Sequence, residues 1–206
     1  MKRNFIYLST MLILLGQPTV TKAQRMQQQL GRGVVAVNSG NNVTITWRRL
    51  AQDPENAKWN VYARKNGNTD YTLLNQQPLD NTNFKTTSSI VPEGTEVAVQ
   101  MIYTHGNETK EGKISNAFLV KKQNLRNIYM EIAFNGSPLK NEDVSTKFVW
   151  PADLNGNGEY DYVVDRNSVN SNRHYLEAYL ADGTYLWTID MGPNEWSSTG
   201  QDDQIC

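Results

Sequence analysis

A nine-residue stretch that reads DLNGNGEYD contains the side chains of this sequence that are best suited to binding a metal ion. Side chains with oxygen atoms occupy its first, third, fifth and ninth positions, which are Asp153, Asn155, Asn157 and Asp161. Calcium is a hard cation that takes about six to eight oxygen ligands, and the two glycines permit the turns that bring alternate side chains round one centre. The sequence therefore predicts a calcium loop in which these four side chains ligate and the carbonyl of Glu159 fills the seventh position.

The flanking sequence distinguishes this loop from an EF-hand. An EF-hand places a bidentate Glu at its twelfth position between two helices, whereas this stretch has Val164 there, within a strand-like run. We expect a strand–loop–strand site in which calcium pins a long turn and does not activate water. The alternative is a polar hairpin without metal, because Asn and Gly are common in turns. Five matching positions within nine residues favour calcium.

The elements before the loop predict a small β-sandwich over residues 32–122. Val43, Ile45 and Trp47 alternate with polar residues, which is the period-two pattern of a half-buried strand. Predicted strands cover residues 34–37, 43–47, 58–64, 71–74, 97–103 and 114–120. A polar loop is expected between the last two of these strands. Strands at short, regular spacing without helical periodicity indicate an all-β sandwich.

The elements around the loop follow a polar linker at residues 121–127 and predict a different arrangement. Short strands are expected at residues 129–134, 148–150, 160–164, 175–180 and 185–189. Asp182 followed by Gly183 is a strong hairpin signal between the last two. Four successive short antiparallel strands form a meander of the size of one propeller blade. Such a blade cannot bury both faces without neighbours.

Composition and charge exclude several classes of protein. The chain has 206 residues, with 20 Lys and Arg against 21 Asp and Glu, a formal net charge of -1. This balance argues against nucleic acid as a partner, because phosphate binding needs a basic face. The single cysteine, Cys206, excludes a disulfide within the chain and a cysteine-based metal site.

The first 23 residues have the pattern of a secretory signal peptide. Lys2 and Arg3 precede an apolar run at residues 5–15, and small residues end at Ala23, so cleavage is expected before Gln24. The apolar run is shorter than the ~20 residues that span a bilayer. We expect a bacterial protein that is secreted or periplasmic and does not contact the membrane after cleavage.

Five segments resemble, in order, the rhamnogalacturonan lyases of the bacterial polysaccharide lyase family 11. These are residues 31–37 (GRGVVAV), 43–48 (VTITWR), 59–62 (WNVY), 152–161 (ADLNGNGEYD) and 177–192, and they extend over nearly the whole mature chain. The resemblance implies a fibronectin-III-like sandwich over residues 24–122. It also implies that residues 128–206 are the first blade of an incomplete calcium-binding β-propeller.

The resemblance further implies a chemistry and a substrate. The family degrades the backbone of rhamnogalacturonan I, a pectic polysaccharide, by β-elimination, which requires a base and a cation that stabilises the enolate-like charge. Family members continue through further blades that form the substrate cleft. We therefore expect a truncated, monomeric lyase that is inactive alone and whose catalytic residues are unknown. A non-catalytic secreted carbohydrate-binding or adhesion module with structural calcium, or a gene remnant, are the alternatives.

A few other side chains are weaker candidates for contact with an acidic polysaccharide. His105 and His174 are interpreted as surface or loop histidines, not as bases. Arg166 and Arg173 flank a polar loop and are interpreted as solvated charges. Trp150 and Trp187 lie in strand patterns and are expected in the core, whereas Trp196 is the tryptophan expected to be free for a sugar.

Overall fold

The structure, a computed structural model, describes residues 30–140, 143–168 and 173–192. These residues form twelve β-strands and one 3₁₀-helix, Lys122–Leu125, which confirms the predicted all-β class. The strands are β1 (Val35–Ser39), β2 (Asn42–Thr46), β3 (Lys58–Lys65), β4 (Thr72–Leu73), β5 (Asn83–Thr87), β6 (Thr95–His105), β7 (Glu108–Ile114), β8 (Phe118–Leu119), β9 (Ser145–Ala152), β10 (Asp161–Ser168), β11 (Arg173–Tyr179) and β12 (Tyr185–Gly192). Among the described residues, no helix is long and apolar enough to cross a membrane.

The first eight strands form two antiparallel sheets, which we call the sandwich. One sheet has the order β1-β2-β5, and the other has the order β4-β3-β6-β7, with β8 also pairing with β6. Buried side chains of both sheets share one core that includes Ile45 from the first sheet and Val61 and Val99 from the second. Trp47 and Trp59 pack edge to face in this core, with ring centroids 5.9 Å apart.

The last four strands form a third antiparallel sheet, of order β12-β11-β10-β9, which we call the meander. The predicted hairpin between β11 and β12 is present. Thr184 donates its backbone N–H to the Asp182 carboxylate over 2.9 Å, and Gly183 has φ of 87°. A Cβ on Gly183 would lie 2.5 Å from the Ala133 carbonyl, so this turn requires glycine.

Two sequence predictions about strands were wrong. Residues 129–134 do not form a strand; Tyr129 is 60% exposed, and no strand pairs with the segment. The polar stretch expected as a loop is instead a hairpin, because β7 pairs with β6 through backbone hydrogen bonds although its side chains are nearly all exposed. A strand whose two faces are both polar has no hydrophobic alternation that sequence analysis could detect.

Candidate functional site

The loop at residues 153–161 connects β9 to β10, so the predicted strand–loop–strand setting is present. Gly156 and Gly158 have φ of 74° and 87°, a backbone conformation that glycine adopts at little steric cost. Both glycines lie where the chain must turn sharply between successive oxygen-bearing side chains.

The side-chain oxygens of the loop are directed at its own backbone. The two carboxylate oxygens of Asp153 accept hydrogen bonds from the N–H groups of Asn157 at 3.0 Å and Gly158 at 2.9 Å. The Asn155 Oδ1 also accepts from Asn157 at 3.0 Å, and the Asn157 Oδ1 accepts from Glu159 at 2.8 Å. These oxygens therefore lie on the inner side of a tight loop and keep lone pairs for a further partner.

Asp161 closes the loop from the start of β10. Its side chain is fully buried, and its Oδ2 accepts the N–H of Leu154 at 3.0 Å. Its Oδ1 accepts the N–H of Ala181, also at 3.0 Å, from the turn before β12. A buried carboxylate needs such donors, since its charge is otherwise unfavourable in the interior. Asp161 thus ties the loop to the far hairpin of the meander.

Glu159 directs its carboxylate away from the loop and toward the sandwich. Its Oε2 lies 3.3 Å from Arg48 Nη2. Burial raises the pKa of Glu159 above its usual value, and Arg48 together with hydrogen bonds from Asn116 and Gly33 lowers it only in part. The proposed role of the Glu159 carbonyl as a ligand stays a prediction.

The donor set fits a hard cation. Within the described residues, no group of three or more His, Cys, Asp or Glu side chains is placed to hold a metal ion. The predicted set contains only two such side chains, Asp153 and Asp161, and completes itself with amide and carbonyl oxygens, which calcium accepts readily. The calcium assignment therefore stays a prediction.

The sandwich contacts the loop directly. Gly31 donates its N–H to the Gly158 carbonyl at 2.6 Å, and Arg48 Nη2 lies 3.3 Å from the same oxygen. Asn116 donates its side-chain amide to the Asn157 carbonyl at 3.3 Å. These contacts join residues that are far apart in the chain, and local sequence patterns gave no signal for them.

A cleft of about 720 Å³ lies beside these contacts, between the sandwich and the meander. Charged, amide and aromatic side chains line it, among them Arg48, Asn116, Lys121, Glu131, Tyr160 and Tyr162. The guanidinium of Arg48 stacks on the Tyr160 ring, 4.2 Å from its centroid. Such stacking is favourable for an arginine that is partly removed from water.

Comparison with known proteins shows what this arrangement is similar to. A family model described as "Rhamnogalacturonan I lyases beta-sheet domain" matches residues 25–116. Two curated relatives from Bacillus subtilis (strain 168) extend the match: rhamnogalacturonan exolyase YesX is 26% identical over 186 residues, and rhamnogalacturonan endolyase YesW is 25% identical over 209 residues. The resemblance to rhamnogalacturonan lyases is confirmed.

The rhamnogalacturonan lyase match includes most of this chain but a minor part of each relative. It covers 83% of this chain and 28% of YesX, and 94% of this chain and 32% of YesW. The solved structure of rhamnogalacturonan lyase YesW has a TM-score of 0.59 and 26% identity, over 80% of this chain and 28% of that one. The chain therefore spans about a third of the length of these lyases.

The histidines considered as lyase bases do not lie on the cleft. His105 is exposed at the end of β6, as the sequence suggested. His174 is buried at 5% exposure in β11, with Nε2 2.7 Å from an oxygen of Asp165, so its interpretation as a surface or loop residue was wrong. Neither histidine is among the residues that line the cleft between the sandwich and the meander.

Arg166 is not the solvated charge that its sequence context suggested. Its guanidinium is buried and donates to the Glu177 carboxylate at 2.8 Å, and Glu177 has no exposed surface. Tyr179 donates to the same carboxylate at 2.9 Å, and burial together with this hydrogen bond raises the pKa of Tyr179 to about 12. Arg173, in contrast, is an exposed partner of Asp190. Arg166 is thus part of the meander interior and not of a substrate surface.

Two further expectations concern tryptophans. Trp187 is 37% exposed on β12, so its assignment to the core was wrong, whereas Trp150 is half-buried and its ring packs near Phe148 at 5.8 Å. Trp196 and the signal peptide at residues 1–23 lie outside the described residues.

Proposed function

We propose that this chain is the calcium-binding front part of a rhamnogalacturonan lyase that cleaves the rhamnogalacturonan I backbone by β-elimination. The observation that carries the proposal is the match to curated rhamnogalacturonan lyases over both the sandwich and the meander, 94% of the chain in the case of YesW. Secretion through a signal peptide at residues 1–23 and a monomeric state are part of the same proposal.

The architecture proposed with this function has two parts. The three-stranded sheet facing a sheet of five strands supports a fibronectin-III-like assignment for residues 24–122. The four-stranded meander supports the assignment of residues 128–206 as the first blade of a propeller. Phe148, Trp187 and Ile189 of the meander are 37–48% exposed, which is the apolar surface that a repeat presents to a neighbour.

Calcium is proposed as the structural ion of the loop. Asp153, Asn155, Asn157 and Asp161 would hold it through side chains and Glu159 through its carbonyl. The bound ion would neutralise two carboxylates in a tight turn and supply no reactive group.

Removal of one proposed ligand tests the calcium assignment. We expect Asp153→Ala to weaken calcium binding in a calorimetric titration, because one of only two ligand carboxylates is lost. Asp70→Ala, which removes an exposed carboxylate of the sandwich, should leave the titration unchanged and serves as the control. An identical titration for both variants would remove the calcium assignment and favour a metal-free hairpin.

Among the described residues, we assign no side chain as the base of a β-elimination. The reaction requires a base for the proton α to the uronate carboxylate and a cation for the charge that develops. Arg48 is a cation on the cleft, where its Nη2 contacts Glu159 and the Gly158 carbonyl and its guanidinium stacks on the Tyr160 ring. We infer that this chain alone does not cleave the polysaccharide and that its role is to support the catalytic part.

A chimera tests the function without assuming the missing residues. The matched segment of YesW would be replaced by this chain, and ultraviolet absorbance of the unsaturated uronate product would be followed with rhamnogalacturonan I. We expect the chimera to form product, whereas this chain alone forms none. Homogalacturonan serves as the control substrate. Product formed by the chain alone would show a working site within it. The alternative of a non-catalytic module would be favoured if the chimera were inactive, YesW were active in the same assay, and the chain bound the polysaccharide.

A further inference from the structure

We propose that the sandwich forms part of the calcium site: Arg48 and Asn116 hold the loop in the conformation that accepts the ion, so that ion binding and docking of the sandwich on the meander are coupled. This inference rests on the proposed calcium loop. It assigns a positioning role to residues that lie about 40 to 110 positions away from the loop in sequence.

The first observation concerns two consecutive carbonyls of the loop. The Asn157 carbonyl accepts from Asn116, and the Gly158 carbonyl accepts from Gly31 at 2.6 Å and lies 3.3 Å from Arg48. Both oxygens therefore point at the sandwich and away from the inner side of the loop. Peptide planes that are fixed in this way restrict the orientation of the next carbonyl, that of Glu159, which is the proposed ligand at the seventh position of the loop.

The second observation concerns the Glu159 side chain. Its carboxylate is held by Arg48, whose Nη2 lies 3.3 Å from Oε2. A free carboxylate at this position could compete with the loop carbonyl for a cation. Because the sandwich binds the Glu159 carboxylate, the proposed ligands are the carboxylates of Asp153 and Asp161 together with neutral oxygens.

The third observation is that the sandwich is built to let Arg48 approach. Gly33 has φ of 54°, and a Cβ there would lie 2.5 Å from the Arg48 guanidinium. A Cβ on Gly31 would lie 3.0 Å from the Glu159 carboxylate and 3.2 Å from the Gly158 carbonyl. The two glycines thus provide the space in which Arg48 and the loop meet.

Coupling of this kind has to act in both directions. If docking of the sandwich strengthens calcium binding by a given factor, calcium must strengthen docking by the same factor. Second-shell partners of metal ligands typically contribute about 10-fold to 100-fold in affinity. The effect of Arg48 is separable from simple charge, because Glu159 balances the positive charge beside the ion.

The experiment compares two charge-balanced double variants by calorimetric calcium titration. Arg48→Met with Glu159→Gln breaks the contact with the loop and keeps every proposed ligand atom, and we expect the calcium Kd to rise about 10-fold. Arg49→Met with Glu55→Gln is the matched control, because Arg49 bonds only backbone carbonyls of Pro54 and Glu55 among the described contacts. We expect the control to keep the Kd of the unmodified chain.

A second readout reports docking itself. The Gly31 N–H lies in the segment before β1, bonds the Gly158 carbonyl and is not a ligand, so its hydrogen exchange should slow when calcium is added to the unmodified chain. Asn116→Ala, an exposed and uncharged change, should raise the Kd in the same direction if the first variant does not fold. Equal Kd values for the test and control variants, or a hydrogen-exchange rate at Gly31 that does not change with calcium, would overturn the proposed coupling. Neither result would contradict the calcium site itself. An unmodified chain that binds no calcium would overturn both.

Discussion

Glu177 organises the interior of the meander. Its buried carboxylate accepts hydrogen bonds from Arg166, Tyr179, Ser137 and Thr188 at 2.6–3.1 Å. A buried ion pair contributes little to stability relative to an apolar pair, but the loss of one partner leaves the other charge unpaired in the interior. These side chains therefore fix how the segment at Ser137 packs on the sheet.

Glu177→Ala should destabilise the meander by about 3–5 kcal/mol, because Arg166 would remain buried without its carboxylate. The measurement is chemical denaturation followed by intrinsic fluorescence. Asp190→Ala, which breaks the exposed pair with Arg173, should change the midpoint little and is the control. Equal midpoint changes for the two variants would show that the Glu177 network does not support the fold.

Asp53 gives the sandwich a sensitivity to acid. Burial raises the pKa of Asp53, but hydrogen bonds from Arg32 and from the Leu50 N–H and the nearby positive charge outweigh burial, so the pKa lies below its usual 3.8. The pair with Arg32 is short, at 2.6 Å, and the guanidinium also stacks on Trp59. A carboxylate with a lowered pKa stabilises the fold above its unfolded-state pKa.

The stability contributed by Asp53 should therefore be complete above pH 3.8 and lost as the pH falls through its lower folded pKa. Thermal unfolding over an acidic pH series, followed by circular dichroism, measures this loss. Asp53→Asn should lower the midpoint at neutral pH and flatten its decline in acid. Asp80→Asn, at an exposed partner of Lys58, should follow the unmodified chain. A decline in acid that is the same in Asp53→Asn would contradict the assignment.

At the scale of elements, the segment before β1 determines how the sandwich meets the loop. Gly33 and Gly67 both have a positive φ, at 54° and 85°, but their surroundings differ. The position of a Cβ on Gly33 is occupied by the Arg48 guanidinium, whereas a Cβ on Gly67 would meet nothing within 4 Å. Substitution of Gly67 therefore tests backbone strain alone, whereas substitution of Gly33 tests backbone strain together with the steric clash with Arg48.

Gly67→Ala should cost about 1 kcal/mol, which is the strain of a left-handed conformation alone. Gly33→Ala should cost more, because Arg48 would also have to leave the loop. Equilibrium denaturation of both variants measures the difference. Equal costs would mean that the approach of Arg48 to Gly33 is not a tight contact in solution.

The same elements show what could be predicted from sequence. β2 and β3 were predictable because one face is buried and the other is not, as at Ile45 and Val61. Residues 129–134 gave a false strand signal because their apolar residues lie in an irregular segment, in which Tyr129 is 60% exposed and the Phe134 ring lies 4.9 Å from the Tyr179 ring. Apolar content alone does not distinguish a strand from a covering loop.

The candidate site was also predictable only in part. The oxygen-bearing residues of the loop were identifiable because they all lie within nine consecutive positions. The contact of Arg48 with the Gly158 carbonyl spans 110 positions, and the buried pairing of Arg166 with Glu177 depends on the strand register. Such contacts arise from the topology and leave no local pattern in the sequence.

The loop at residues 153–161 contacts both the sandwich and the rest of the meander. The sandwich donates to its backbone from Gly31 and Asn116, and the meander secures it through Asp161. The chain spans 28–32% of the length of the lyases that it matches. We infer that a calcium ion in this loop makes the sandwich and the meander unfold as one body.

Scanning calorimetry of the chain with calcium and with a chelator tests whether the ion couples the unfolding of the sandwich to that of the meander. A ligand at about 100 times its Kd stabilises the folded state by about 2.7 kcal/mol. We predict one cooperative transition at saturating calcium. With chelator, we expect the meander to unfold in a separate transition at lower temperature, while the transition temperature of the sandwich changes little. Identical traces in calcium and in chelator would show that the ion does not couple the two parts.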